Sequence, residues 1–312
     1  MKSDIHKAPV RCPGCGSETA ATFKGEASGG YAVSLGTQTI PAPSYTVWQC
    51  NRCGLLYKVG TLTDSQLGDY YANIDFKIWG VGILFPTDRA VLKILRRLPR
   101  GAQVLDYGCS SGRLLKEVLG TLDCFGYEPN AAAASQASEL GIRMVNDQHL
   151  NDGSLHFDAI VLMDVFEHFR YPTEQLARLF ALLRPGGVMI LATGNFDAPA
   201  FRRDPAEFWY FTNVEHLCVL GREYANYLCR SLPADITHWE EISHYDTAIL
   251  SCFMQHLKTF AYYAYRQKTF ISKFILPCIY GLRRARNWRM APGLSCTQDH
   301  VVLALRKAPE GV

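Results

Sequence analysis

From residue 101 to about 195, short apolar runs alternate with helical segments: AQVLDYG, RLLKEVL, CFGYEP, AAAASQASELG, IRMVN, FDAIVLMDV, a helix expected over about 173 to 183, and GGVMILAT. Strands this apolar suit burial on both faces, and the helices between them supply the crossovers that parallel pairing requires. The alternation therefore predicts an α/β fold with a doubly wound, mostly parallel sheet. Upstream, PTDRAVLKILRRL predicts a helix capped by Thr87 or Asp88, with Val91, Leu92, Ile94 and Leu95 on its apolar side. The final DHVVLALRK alternates as a closing strand should.

Within this frame the densest chemical signal is Val104-Leu105-Asp106-Tyr107-Gly108-Cys109-Ser110-Ser111-Gly112, a strand entering a small-residue turn ahead of the expected helix RLLKEVL. Gly108 and Gly112 permit backbone conformations or close approaches that a side chain would block. The helix start would offer free N–H groups to a ligand carboxylate. At the end of the next strand, Gly126-Tyr127-Glu128 places an acid where it can accept two ribose hydroxyls. The spacing of Gly108 and Gly112 does not give the GxGxxG pattern of a dinucleotide site.

In this order VLDYGCSSG, GYEP, FDAIVLMDVFEHF and LLRPGGVMILAT resemble the successive motifs of class I S-adenosylmethionine-dependent methyltransferases, over about residues 85 to 220. The resemblance implies a Rossmann-like, seven-stranded sheet and S-adenosylmethionine as cofactor. It implies that Asp106 and Gly108, with Cys109 and Gly112 in the same turn, line the methionine-ribose side. Glu128, followed by Pro129, would bind the ribose hydroxyls; Asn146, Asp147 and Gln148 would lie at the adenine, and Met163 and Asp164 beside the sulfonium. Ser110 departs from the family, where a third glycine is usual.

Cys12-Pro-Gly-Cys15-Gly and Cys50-Asn-Arg-Cys53-Gly are two CxxCG pairs. Each two-residue gap lets both thiolates turn onto one ion, and four sulfurs close a tetrahedral shell, which is the pattern of structural zinc. Residues 1–60 are therefore expected to form a small β-rich, zinc-ribbon-like unit in which YAVSL and YTVWQ are strands. The remaining chain divides into a catalytic domain over 61–246, a helical insertion or cap over 247–298, and a closing strand and tail over 299–312.

Asp164-Val-Phe-Glu167-His168 follows the fourth strand of the main sheet, where an acceptor pocket would open. Methyl transfer to a hydroxyl needs alignment and a base. His168 is the first candidate, and His216 in Val-Glu215-His216-Leu the second. A competing reading makes Glu167, His168 and His216, with Asp164, ligands of a second, divalent metal, as in some small-molecule and RNA-end O-methyltransferases.

Between Asp246 and Asp299 there is no acidic residue, while Lys258, Arg266, Lys268, Lys273, Arg283, Arg284, Arg286 and Arg289 stand among Phe, Tyr, Ile and Leu. Two readings stand side by side: residues 258–290 lie against an anionic membrane surface or hold a phosphate-bearing substrate, or they cap the active site and their basic face is merely solvated. Net charge of +3 over 312 residues names no partner by itself. Eleven cysteines and a polar start, MKSDIHKAPVRC, suggest a reducing, cytoplasmic setting, against the inner face of a membrane if the first reading holds.

The acceptor expected is a sugar, a lipid-linked glycan or another small molecule, methylated on oxygen. Nucleic acid is disfavoured, because no NPPY-like or DPPY-like sequence is present and the basic charge is local. The remaining alternative is a non-catalytic binding protein with a vestigial cofactor pocket.

Overall fold

The structure is a computed structural model that describes residues 11–18, 21–27, 32–35, 38–75, 83–288 and 291–309. The amino-terminal part consists of β1 (Ala21–Ala27), β2 (Ala32–Leu35), β3 (Gln38–Pro41), β4 (Tyr45–Cys50) and β5 (Leu56–Val59). Strands β1, β4 and β5 pair antiparallel in that order, and β2 and β3 form a separate hairpin. Helix α1 (Asp64–Asn73) follows, its first turn closed by Thr63 and Gln66 exchanging side-chain and backbone hydrogen bonds.

The main domain then runs α2 (Pro86–Leu95), β6 (Gln103–Tyr107), β7 (Asp123–Tyr127), α3 (Ala131–Glu139), β8 (Arg143–Val145), α4 (Asp147–Asn151), β9 (Phe157–Met163), α5 (Pro172–Ala181) and β10 (Leu183–Gly194). It continues through α6 (Pro199–Arg203), β11 (Cys218–Val219), α7 (Arg222–Ser231), β12 (Ala234–Ile242), α8 (Ile249–Arg266), α9 (Phe270–Phe274) and β13 (His300–Lys307). The large sheet has seven strands in the order β12-β13-β10-β9-β6-β7-β8. The five from β8 to β10 are parallel, and β13 and β12 pair antiparallel at one side.

Why the central strands read as unbroken apolar runs is visible in β9. Ile160 and Leu162 enter the core on one face with Leu105, Met189 and Leu303, while Ala159 and Val161 enter the other with Val104, Ile190 and Val302. Both faces are covered, so neither set alternates with polar residues. The chain leaves β6 toward β7 and β8 and returns to β9 on the opposite side. That reversal opens a crevice beyond the carboxyl ends of β6 and β9.

The cysteine-rich unit is fused to this domain. β5 pairs with β11, so one small sheet contains strands from both parts. Cys12, Cys50, Cys53 and Leu55 share a core with Tyr224 and Leu228 of α7. A side chain at Gly54, which has φ of 77°, would come within 2.6 Å of Glu223, so the turn after the second cysteine pair packs directly on α7.

Three local expectations change. RLLKEVL forms only a 3-10 turn at Leu115–Glu117, because the stretch lies between Gly112 and Gly120, both at φ of 80°, and Leu114, Leu115 and Val118 are all drawn into the core. No long helix start therefore faces the cofactor turn. Helix α2 is entered at Phe85 rather than capped by Thr87 or Asp88; Asp88, inside the first turn, accepts from the Phe85 N–H at 2.7 Å. Cys252 and Cys296 depart from the reduced cysteines expected of the chain: they are paired as a disulfide tying α8 to the approach of β13. No helix among the described residues is long and apolar enough to cross a membrane.

Candidate active site

The crevice is a cavity of about 650 Å³ lined by residues from the β6, β7 and β9 ends, by α1, and by the segments 209–216 and 244–245. On the β6 side, Gly108 (φ 90°) turns the chain where a Cβ would lie 2.5 Å from Val165 Cγ2. The N–H groups of Gly108 and Cys109 both donate to the Tyr127 carbonyl, at 2.8 and 3.1 Å, which fixes the turn over β7. Glu128 accepts from the Ser110 N–H at 2.9 Å and the Asn130 N–H at 2.8 Å. A carboxylate has further acceptor positions, so it is held in place and still able to receive hydroxyls. Burial raises its pKa, and those two backbone donors work against the rise.

Asp106 is almost wholly buried, and its Oδ1 has no hydrogen-bond partner. Burial pushes its pKa up to about 7; Arg113 opposes this, and Asp88 and Glu128 add to it. An unpartnered buried carboxylate oxygen is costly. A ligand that brings a donor would relieve it, so these residues fit the amino-acid and ribose ends of S-adenosylmethionine.

Of the positions expected at the cofactor, Asp106, Gly108, Cys109, Glu128, Pro129, Met163 and Asp164 line one cavity. Gly112, Asp147 and Gln148 are not among its lining residues. Gly112 instead allows close packing on the α3–β8 connection, since a Cβ there would lie 2.4 Å from Ile142 Cδ1. Asp147 accepts from the hydroxyl of Tyr127, a lining residue, at 3.1 Å, and Gln148 is exposed.

Across the cavity lie His168 and His216, with ring centroids 5.0 Å apart. His168 Nδ1 is 2.8 Å from the Tyr71 hydroxyl and 3.2 Å from the Glu215 carbonyl. Its Nε2 lies 3.9 Å from Glu167 Oε1. Glu167 is fully buried and accepts from the Thr193 hydroxyl at 2.7 Å and from the Tyr210 hydroxyl. Burial holds His216 well below the usual histidine range, and the neighbouring His168 and Lys58 push the same way, so it is a neutral imidazole.

Sequence reasoning missed the third side of the site. Asp164, at φ of 50°, approaches His300 Nε2 at 3.3 Å. His300 Nδ1 lies 3.4 Å from Asp299, and the His244 ring stacks on it at 4.4 Å. Burial would raise Asp164, but His244, His300 and Arg113 outweigh it and hold it well below the usual carboxylate range. Burial alone would lower His300, yet the two carboxylates raise it to about 9. Tyr71, Phe85, Trp209, Tyr210 and Tyr245 add aromatic walls. One signal for this side was present: β13 is antiparallel to β10, so its first residue, His300, opposite Gly194, must arrive where the parallel strands end.

Away from the cavity, Cys12 and Cys53 sulfurs are 3.7 Å apart and those of Cys15 and Cys50 are 3.6 Å apart. All four sulfurs lie within 4.8 Å of one another. This donor set fits the closed, all-thiolate shell of a structural zinc ion.

Residues 86–231 match the family described as "Methyltransferase domain". Among curated relatives, the ubiquinone biosynthesis O-methyltransferase of Caulobacter sp. (strain K31) is 37% identical over 106 residues, 30% of this chain and 42% of that protein. The protein of the same description from Xanthomonas axonopodis pv. citri (strain 306) is 31% identical over 154 residues, 46% of this chain and 57% of that one. The chain thus spans about half the length of the curated relatives it matches. Among solved structures, the YcgJ protein from Bacillus subtilis aligns at 15% identity with a TM-score of 0.45, covering 72% of this chain and 99% of that one. Over residues 86–231 the chain is thus similar to methyltransferase domains.

Proposed function

We propose that the whole protein transfers a methyl group from S-adenosylmethionine to a hydroxyl oxygen of a small-molecule acceptor. The observation that carries this reading is the division of one cavity: Asp106 with its unpartnered oxygen and Glu128 on one side, His168 and His216 on the other. S-adenosylmethionine, when bound, supplies an electrophilic methyl group. Asp106 would take its amino group, Gly108 would let the backbone approach it, and Glu128 would accept the ribose hydroxyls.

The protein's own work is then alignment and one proton transfer. His168 has its Nδ1 fixed by Tyr71, which leaves Nε2 to take the acceptor proton; His216 is neutral and close enough to serve instead. Trp209, Tyr210 and Tyr245 offer faces to a hydroxylated ring, which suits a sugar and equally a planar ring.

We further assign the four cysteines to one structural zinc ion and the acceptor to a lipid-linked glycan or similar amphiphile. The support for the second point is the surface of the 247–298 region, where Ile249, Leu250, Phe253, Phe270, Phe274 and Tyr280 are exposed near Lys258, Lys268 and Lys273. Such a face suits the interface of an anionic bilayer. Arg266 is engaged by Glu207 at 2.5 Å, and Arg289 lies outside the described residues.

The deciding experiment is transfer of labelled methyl from S-adenosylmethionine into fractionated cell extract by wild type, Asp106→Ala and His168→Ala. Label in a lipid or glycan fraction that both variants lose supports the reading. Label in nucleic acid, or no transfer together with no binding of S-adenosylhomocysteine, overturns it.

A further inference from the structure

The wall behind Asp164 holds buried polar atoms that the methyl-transfer reading does not use. His300 is fully buried, and neither of its ring nitrogens makes a hydrogen bond of good geometry; His244 Nδ1, also buried, has no partner. A buried polar atom left without a partner, as His244 Nδ1 is, is costly. Yet one ligand atom from each of Asp164, His244 and His300 falls within 4.8 Å of the others, with His300 Nε2 and Asp164 Oδ1 at 3.3 Å. Asp164 and His244 also line the cavity.

The surroundings match what a metal-ligating histidine needs. Asp299, fully buried, presents Oδ2 to His300 Nδ1 at 3.4 Å while its Oδ1 accepts the His244 backbone N–H at 3.1 Å. A carboxylate behind one imidazole nitrogen fixes the tautomer and aims the other nitrogen at an ion. The neighbouring trio of Glu167, His168 and His216 also clusters within 4.8 Å, but Glu167 is taken up by Thr193 and Tyr210, and His168 Nδ1 by Tyr71.

We propose that Asp164, His244 and His300 bind a divalent first-row transition cation, with Asp299 orienting His300, and that its open positions face the cavity and take the acceptor oxygen. Two imidazoles and one carboxylate are a recurrent set for such ions, and three protein ligands leave positions open. An oxygen held there is polarised toward its alkoxide or phenolate, the form that attacks a methyl group. The role of the open positions rests on the methyl-transfer reading above; the existence of the site does not.

The test uses the full-length protein with zinc retained at its cysteines, and Co(II) as the probe. Wild type should take up one further equivalent showing the ligand-field bands of nitrogen and oxygen ligation, without the sulfur-to-cobalt charge transfer of a thiolate site. His300→Ala and His244→Ala should weaken Co(II) binding tenfold or more, and Asp299→Asn by about 10- to 100-fold. His216→Ala should leave it unchanged. S-adenosylhomocysteine binding, measured on the same samples, reports whether each variant is folded.

Should His300→Ala misfold, paramagnetic shift of two imidazole signals in Co(II)-loaded wild type supports the site, and absence of such shifts refutes it. No further equivalent in wild type that binds S-adenosylhomocysteine, or undiminished binding in a folded His300→Ala, overturns the metal site and leaves the methyltransferase reading standing. Loss of S-adenosylhomocysteine binding by wild type would strike the latter instead.

Discussion

Lys58 Nζ donates to the carbonyl oxygen of Asn213 at 2.7 Å, and so joins the cysteine-rich unit to the loop that carries His216. The ammonium also sits over the rings of Tyr45 and Phe211, at 4.4 and 4.7 Å. Burial drives its pKa down to about 7, with Glu215 resisting. The small unit thus places a buried amine beneath the loop that carries His216.

The sign of the resulting pH dependence follows from the two states. Unfolded Lys58 holds its proton until about pH 10.4, whereas folded Lys58 loses it near 7. Between these values the unfolded chain binds more protons, so this group makes stability rise with pH, by up to about 1.4 kcal/mol per pH unit. Lys58→Met should remove that component. Denaturant titrations of wild type and variant from pH 7 to 10 measure the difference in slope, and equal slopes would show that Lys58 stays charged in the folded protein. The variant should also raise KM for the acceptor more than it weakens S-adenosylhomocysteine, because only the loop loses its support.

Asp106 gives the opposite slope. Its pKa is about 7 in the folded protein and about 3.9 unfolded, so the folded state holds more protons between those values and stability falls as pH rises through that window. Asp106→Asn should therefore stabilise the ligand-free protein at pH 8, on the order of 2 kcal/mol. The same change should weaken S-adenosylhomocysteine by tenfold or more and flatten the increase in its affinity from pH 6 to 8. Melting curves with and without the ligand test both halves. A variant that is less stable without ligand would mean that Asp106 has a partner in the free protein.

How far these sites were legible depends on whether their cause is local. The turn at Gly108 and the acid at Glu128 are set by strand ends in sequence, and the two CxxCG pairs by spacing, so both could be read from the chain. Asp147 and Gln148 were assigned by position alone, and the cavity stops short of them. The group around His300 is assembled from residues 164, 244 and 299–300, and only the order β13-β10-β9 brings them together. RLLKEVL failed as a helix because core packing outweighed its propensity between two left-handed glycines.

The two histidines should separate by kinetics. His168→Ala is expected to lower kcat by roughly 10²- to 10⁴-fold with S-adenosylhomocysteine affinity retained, as loss of a general base does. Tyr71→Phe, which removes only the 2.8 Å contact to His168 Nδ1, should cost less and shift the pH profile of kcat, a readout that a purely structural role would not move. If His216→Ala has the larger effect, the base is His216 and Tyr71→Phe should leave the profile in place.

Zinc removal should reach the active site through the shared sheet. Because β5 pairs with β11 and Cys53 packs with Tyr224, loosening the cysteine shell frees the strand that carries Lys58 and unseats α7. Cys53→Ser should therefore lower Tm and also reduce methyl transfer. Wild type should contain one zinc equivalent by elemental analysis, and full activity with less than about half an equivalent would show that the unit holds its shape by packing alone. Lys58→Met supplies the control that distinguishes the route: it should impair the acceptor loop while leaving zinc content unchanged, because the metal shell and the Asn213 contact sit at opposite ends of β5.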